Sequence, residues 1–132
     1  MFSHVFIGIN DFERCFAFYS AILPELGLQR KWVDYDKPWA GWMQPGQPRP
    51  LLVIARPYDG VAASAGNGQM IALLAPTREH VRRVYAAALA AGGTSEGEPG
   101  LRPHYHADYY GAYFRDPDGN KLAVCCHAPE PV

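Results

Sequence analysis

Shifted by half its own length, the 132-residue chain lies over itself. His4-Val5-Phe6-Ile7 falls on Met70-Ile71-Ala72-Leu73, Asp11 on Thr77, Glu13 on Glu79, Tyr19 on Tyr85, Leu23 on Leu89 and Gly27 on Gly93. Identities are few, but the order of elements and the cap positions coincide, and self-similarity at a fixed offset marks a repeated supersecondary unit. Each half opens on an apolar run of strand length, Val5 to Ile9 and Met70 to Ala75. Each run then meets Asp11 or Thr77, whose side chain can accept from the free amides of a first helical turn.

The periodicity predicts one amphipathic helix per half. Phe12, Cys15, Phe16, Tyr19, Ile22 and Leu23 form a buried stripe that Pro24 stops. Val81, Val84, Tyr85, Ala88 and Leu89 form its counterpart, closed by Gly92-Gly93, with Arg82 and Arg83 on the wet side. Three strand-like pieces follow each helix: Gln29 to Tyr35, Trp39 to Met43 and Leu51 to Arg56, then Thr94 to Glu98, Tyr109 to Arg115 and Lys121 to His127. Asp116-Pro117-Asp118-Gly119-Asn120 reads as the last turn, with proline presetting one dihedral and glycine supplying a positive φ. The expected architecture is α+β: two tandem βαβββ modules, residues 1–56 and 69–132, joined by a linker over 57–68. One helix on one four-stranded sheet buries little, so the modules are expected to pack together into a curved mixed sheet with a concave trough.

Charge and composition narrow the function. Twelve basic against thirteen acidic residues give a net charge of −1, which lacks the cationic surplus that nucleic acid or an anionic membrane surface requires. No apolar run approaches the roughly 20 residues of a membrane helix, and Met1-Phe2-Ser3-His4 does not read as the start of a secretory signal. Cys15, Cys125 and Cys126 show no zinc-like pairing, and buried free thiols in a reducing cytoplasm are the expectation.

His4 on a first strand, Asp11 before a helix, Phe18-Tyr19 within it and Leu26-Gly27 after it resemble the opening of the vicinal oxygen chelate superfamily. That superfamily includes glyoxalase I, extradiol dioxygenases, and fosfomycin and bleomycin resistance proteins. Phe114 to Asn120 resembles its final hairpin. The segment 100–106 with Tyr109-Tyr110 and Cys126-His127 resembles a bacterial glyoxalase-like subgroup of unassigned function. The resemblance implies the fold, a homodimer, and a divalent metal held by one ligand near the start and one near the end of each module. His4 matches the first ligand position. The second falls among Leu52, Val53 and Ile54, the third on Met70 and the fourth on Ala123. Three of four positions thus lack a ligand that suits such a metal, and no cofactor is expected.

Aromatic and imidazole side chains carry the remaining signal. Trp32, Tyr35, Trp39 and Trp42 crowd the first module, and Tyr105, Tyr109, Tyr110 and Tyr113 the second, with Tyr109 and Tyr113 expected on one face and Tyr110 opposite. The candidate pocket residues are His4, Trp39, Trp42, Met70, His104, His106, Tyr109, Tyr110, Ala123 and His127, and the expected partner is a small organic molecule. Arg56 and Arg102 could hold a ligand's carboxylate or phosphate. Three rivals stand beside this reading. One is a lyase, isomerase or dioxygenase with relocated metal ligands from His4, His104, His106, Asp108 and His127. Another is a metal-free enzyme in which a histidine and a tyrosine exchange protons. The third is an interaction partner whose trough its own side chains fill.

Overall fold

Asp11 and Thr77 stand in extended backbone, and each closes the first turn of a helix with its side chain. Asp11 accepts from the Arg14 N–H at 3.1 Å and Thr77 from the His80 N–H at 3.2 Å. The computed structural model describes residues 1–130; Pro131 and Val132, the end of the second module, lie outside the described residues. The elements run β1 (His4–Gly8), α1 (Phe12–Ile22), β2 (Gln29–Asp34), β3 (Trp39–Gln44), β4 (Gln47–Ala55), β5 (Ile71–Leu74), α2 (Arg78–Ala90), β6 (Thr94–Leu101), β7 (Tyr110–Arg115) and β8 (Lys121–Cys126). Pro24 opens a short 3-10 turn, Pro24–Leu26, so α1 ends where the missing amide requires.

The eight strands form two sheets of four with the same order, β1-β4-β3-β2 and β5-β8-β7-β6. In each, the first strand pairs in parallel with the last and the other contacts are antiparallel. The two registers match across the repeat: Phe6 lies beside Val53 as Ala72 lies beside Ala123. The fold is thus a pair of βαβββ modules.

One face of each sheet is covered by helix. Ile7, Ile9, Ala40, Trp42, Leu52 and Ile54 of the first half join Ala112, Phe114, Leu122, Val124 and Cys126 of the second in one buried cluster. The helices touch each other, and α1 also reaches into the second half, where Phe18 meets Phe114 at 6.0 Å between ring centres. That second neighbour changes the expected stripe. Phe18 is fully buried, whereas Phe16, which the spacing places in the stripe, is half-buried. Leu89 likewise remains 37% exposed on the outer side of α2.

The β7–β8 turn clasps the halves together. Asp118 accepts from the N–H groups of Asn10 and Asp11, at 2.6 and 3.0 Å, and from the Cys15 thiol at 3.1 Å. Asn120 Nδ2 donates to the Gly8 carbonyl at 3.0 Å. Burial pushes the Asp118 carboxyl up, but the Asn10, Cys15 and Asp11 donors and the Arg14 charge outweigh it and hold it below the usual carboxylate range. A carboxyl lower in the folded than in the unfolded chain stabilises fully above its unfolded pKa of about 4 and loses that contribution as pH falls through its folded value. Asp118→Asn is therefore expected to flatten the acid limb of a melting temperature against pH curve. An unchanged acid limb in the variant would contradict the clasp.

Candidate functional site

The faces turned away from the helices carry the chemistry. On the first sheet, His4 and Phe6 of β1, Val53 of β4, Trp39 and Gly41 of β3, and Trp32 of β2 share this open face by register. The Trp32 indole lies over Gly41, where any Cβ would enter its ring. Trp39 meets Trp32 edge-on at 5.0 Å, and the Lys37 ammonium sits 4.2 Å from the Trp39 ring centre. The Trp32 Nε1–H is shut from solvent with no partner among the described residues. His4 is exposed and bonds to the adjacent Ser3 hydroxyl at 2.9 Å. Trp42, a pocket candidate by sequence, faces the other way. It is 2% exposed and packs on Phe16 and Tyr19 of α1, because its neighbour across the ladder is the core residue Leu52.

On the second sheet, Tyr113 lies opposite Ala123 and Gly111 opposite Cys125, which puts all four on the open face. Tyr109 leads into this face, its hydroxyl 3.1 Å from that of Tyr113. Tyr110 lies on the helix side, its ring between the guanidinium groups of Arg78 and Arg82 at 5.4 and 5.7 Å. The expected split of these tyrosines between two faces is what the ladder produces, and Tyr110 is a helix-packing residue rather than a pocket one. Met70 stands just before β5, 42% exposed, and Ala123 is buried beneath its neighbours.

Imidazoles and a thiol complete the patch. The Asp108 N–H donates to His106 Nδ1 at 3.2 Å, so neutral His106 carries its proton on Nε2 and donates to His127 Nδ1 at 2.8 Å. Neutral His127 then turns its own Nε2–H toward the Cys125 sulfur, 3.8 Å away. Burial pushes the Cys125 thiol up, against a bond from Tyr109 that lowers it. Burial also raises Tyr109, with its bonds to Tyr113 and Cys125 adding to the effect. A thiol that burial keeps protonated against its donors is poorly set up as a nucleophile. Cys15, Cys125 and Cys126 are all free and buried.

The relocated metal set does not assemble. Only His106 and His127 meet. Asp108 turns to Arg78 at 3.6 Å, His104 stacks on Tyr105 at 4.3 Å, and His4 lies on the other sheet. Residues 103–108 form turns rather than a strand, so alternation along the sequence does not put these side chains on one side. Among the described residues, no group of three His, Cys, Asp or Glu side chains is placed to hold a metal ion. In the repeat register Val53 is the counterpart of Ala123 among the three apolar residues at the second position implied by the resemblance. An imidazole, a valine, a thioether and an alanine do not fit a hard or borderline divalent ion.

Sequence reasoning named Arg102 for an anionic ligand group but left Lys121, Tyr105 and Tyr113 out of the pocket set; all four line one cleft of ≈ 270 Å³ with Glu96 and His104. Arg56, the other arginine considered, is exposed and lines a different cleft, with Trp39 and Tyr58. Alternation from Tyr109 through Tyr113 to the partner strand would have found Tyr113 and Lys121; the bulges of β6 hide the approach of Arg102.

Residues 1–124 match the Glyoxalase/Bleomycin resistance protein/Dioxygenase superfamily. The chain belongs to that family. It is similar to a glyoxalase/bleomycin resistance protein from Albidiferax ferrireducens T118, with 35% identity, a TM-score of 0.85, and coverage of 96% of this chain and 98% of that one. A glyoxalase-related enzyme from Fulvimarina pelagi shares the fold at 20% identity and a TM-score of 0.73, over 96% and 87% of the two chains. So does a glyoxalase/bleomycin resistance protein/dioxygenase family enzyme from Burkholderia phytofirmans PsJN, at 20% identity and 0.70, over 96% and 98%. No curated protein matches the chain. No helix among the described residues is long and apolar enough to cross a membrane.

Proposed function

We propose that this protein binds a small, flat organic molecule on the open faces of its sheets, without the metal its family commonly uses. The observation that carries this reading is the composition of those faces. Rings and imidazoles remain where the ligand positions hold Val53, Met70 and Ala123 beside the single His4. Aromatic side chains offer area at little entropy cost, and the few polar tips orient a ligand. The reading includes a second copy of the chain as partner. Phe6, Met70 and Leu74, 50%, 42% and 71% exposed, leave apolar surface along the edge strands β1 and β5. Light scattering that returns the mass of one chain would remove that element alone.

The test of binding is ligand-induced stabilisation with and without a chelator. A binder at a hundredfold excess over its Kd adds about 2.7 kcal/mol, and that gain is expected to persist in EDTA. Abolition of the shift by EDTA, with recovery on adding back a divalent ion, would overturn the reading in favour of a metal-dependent enzyme.

A further inference from the structure

The cleft beside Tyr113 states more about the ligand than flatness. Arg102 lies over the Tyr113 ring at 5.5 Å and the Lys121 ammonium at 5.9 Å from the same ring centre. Neither cation makes an ion pair among the described residues. The acid lining the cleft, Glu96, is taken by Arg115, whose bond and charge hold its carboxyl below the usual range against an opposing effect of burial, with the Lys121 charge adding to the lowering. Three cations therefore surround one carboxylate that is already engaged.

The arginine is positioned rather than loose. Its Nη2–H donates to the Glu98 carbonyl at 2.8 Å and Nη1–H to the Leu101 carbonyl at 3.4 Å. Two glycines of β6 clear its place: a Cβ on Gly100 would stand 2.9 Å from Arg102 Nη1, and one on Gly97 3.4 Å from Nη2 and 3.1 Å from the Tyr113 ring. A guanidinium has five N–H donors, so most of the fork remains for a ligand. At the mouth, Tyr105 is 62% exposed and meets the rings of His104 and Tyr109 in tilted contacts at 4.3 and 4.9 Å.

We infer that this cleft selects an aromatic carboxylate, its carboxylate between Arg102 and Lys121 and its ring against Tyr105. This assignment rests on the small-molecule reading above and sharpens it. A planar carboxylate matches the guanidinium fork in a way that an uncharged ring does not. It also supplies an anion to a cleft lined by two cations that have no ion-pair partner among the described residues.

The experiment compares naphthalene-2-carboxylate with its uncharged amide by calorimetric titration of the full chain. The carboxylate is expected to bind at least about tenfold tighter, the effect of one charge-assisted contact. Arg102→Gln and Lys121→Gln should each remove most of that preference while leaving the affinity for the uncharged amide as it is in the parent. Equal binding of acid and amide, or a preference that survives both substitutions, overturns the carboxylate assignment and leaves the flat-molecule reading standing. Failure of both probes to bind or to shift the melting temperature overturns the two together.

Discussion

Asp116→Ala is expected to remove about 4 kcal/mol of stability, because one carboxylate satisfies four donors inside the molecule. Its Oδ2 accepts from the Tyr19 hydroxyl at 2.7 Å and from Asn120 Nδ2 at 2.9 Å; its Oδ1 accepts from the N–H groups of Asp118 and Asn120 at 2.9 and 3.0 Å. Asp116 is 2% exposed and Tyr19 fully buried, so water does not replace the lost acceptor. Each stranded buried donor costs about 1–3 kcal/mol, and bonds to a charged partner stand at the upper end. Burial first, then the Asp116 charge and bond, raise the Tyr19 phenol well above its ordinary value, so Tyr19 remains a donor throughout the useful pH range. Tyr19→Phe should be milder, at about 1.5 kcal/mol, since it removes one donor and leaves Asp116 three. The double variant should cost less than the sum, with a coupling of about 1 kcal/mol. Urea unfolding at constant slope measures all three. An Asp116→Ala protein within about 1 kcal/mol of the parent would show that the turn, not the carboxylate, joins the halves.

That carboxylate illustrates what local chemistry reveals and what it hides. The caps at Asp11 and Thr77, the stop at Pro24 and the last turn are legible because each depends on a few neighbouring atoms. The split of Tyr109 and Tyr113 from Tyr110 is legible because the strand period is two. Asp116 reads only as a turn residue, since its buried partner is 97 positions away. Trp42 and Trp39 occupy the same strand with equal claims on a pocket; only pairing with Leu52 and Ala55 decides that one faces the core and the other the open side. Phe18 is missed because an amphipathic stripe assumes one neighbour, and α1 has two. His106 and Asp108 separate because Pro103 leads into turns, where alternation carries no direction. The family's ligand positions are the informative exception. A ligand type is a property of a residue and not of its surroundings, so the poverty of donors at residues 52–54, Met70 and Ala123, the positions the resemblance implies, is visible before any coordinate.

The seam between the halves has a second point of no tolerance, and it is a glycine chosen for space. Gly93→Ala should lose about 3 kcal/mol, the upper end for overpacking a closed site. A Cβ there would stand 2.8 Å from the Ala88 carbonyl, the Arg115 carbonyl and the Phe18 ring at once. Two of these are backbone oxygens fixed by α2 and β7, so a rotamer change cannot relieve them. The third is the ring that α1 sends into the second half. The neighbouring Gly92 separates this from a conformational effect: it has φ of 99° and nothing closer to a Cβ than Pro117 at 3.7 Å. Gly92→Ala should therefore cost about 1 kcal/mol, through backbone strain alone. Adding Phe18→Leu to Gly93→Ala frees only one of three contacts, so the double variant should remain less stable than Phe18→Leu by itself. If that substitution restores full stability, the ring alone sets the limit and the two carbonyls give way. If Gly93→Ala costs no more than Gly92→Ala, the halves are not packed closely enough at this point for the shared core to depend on it.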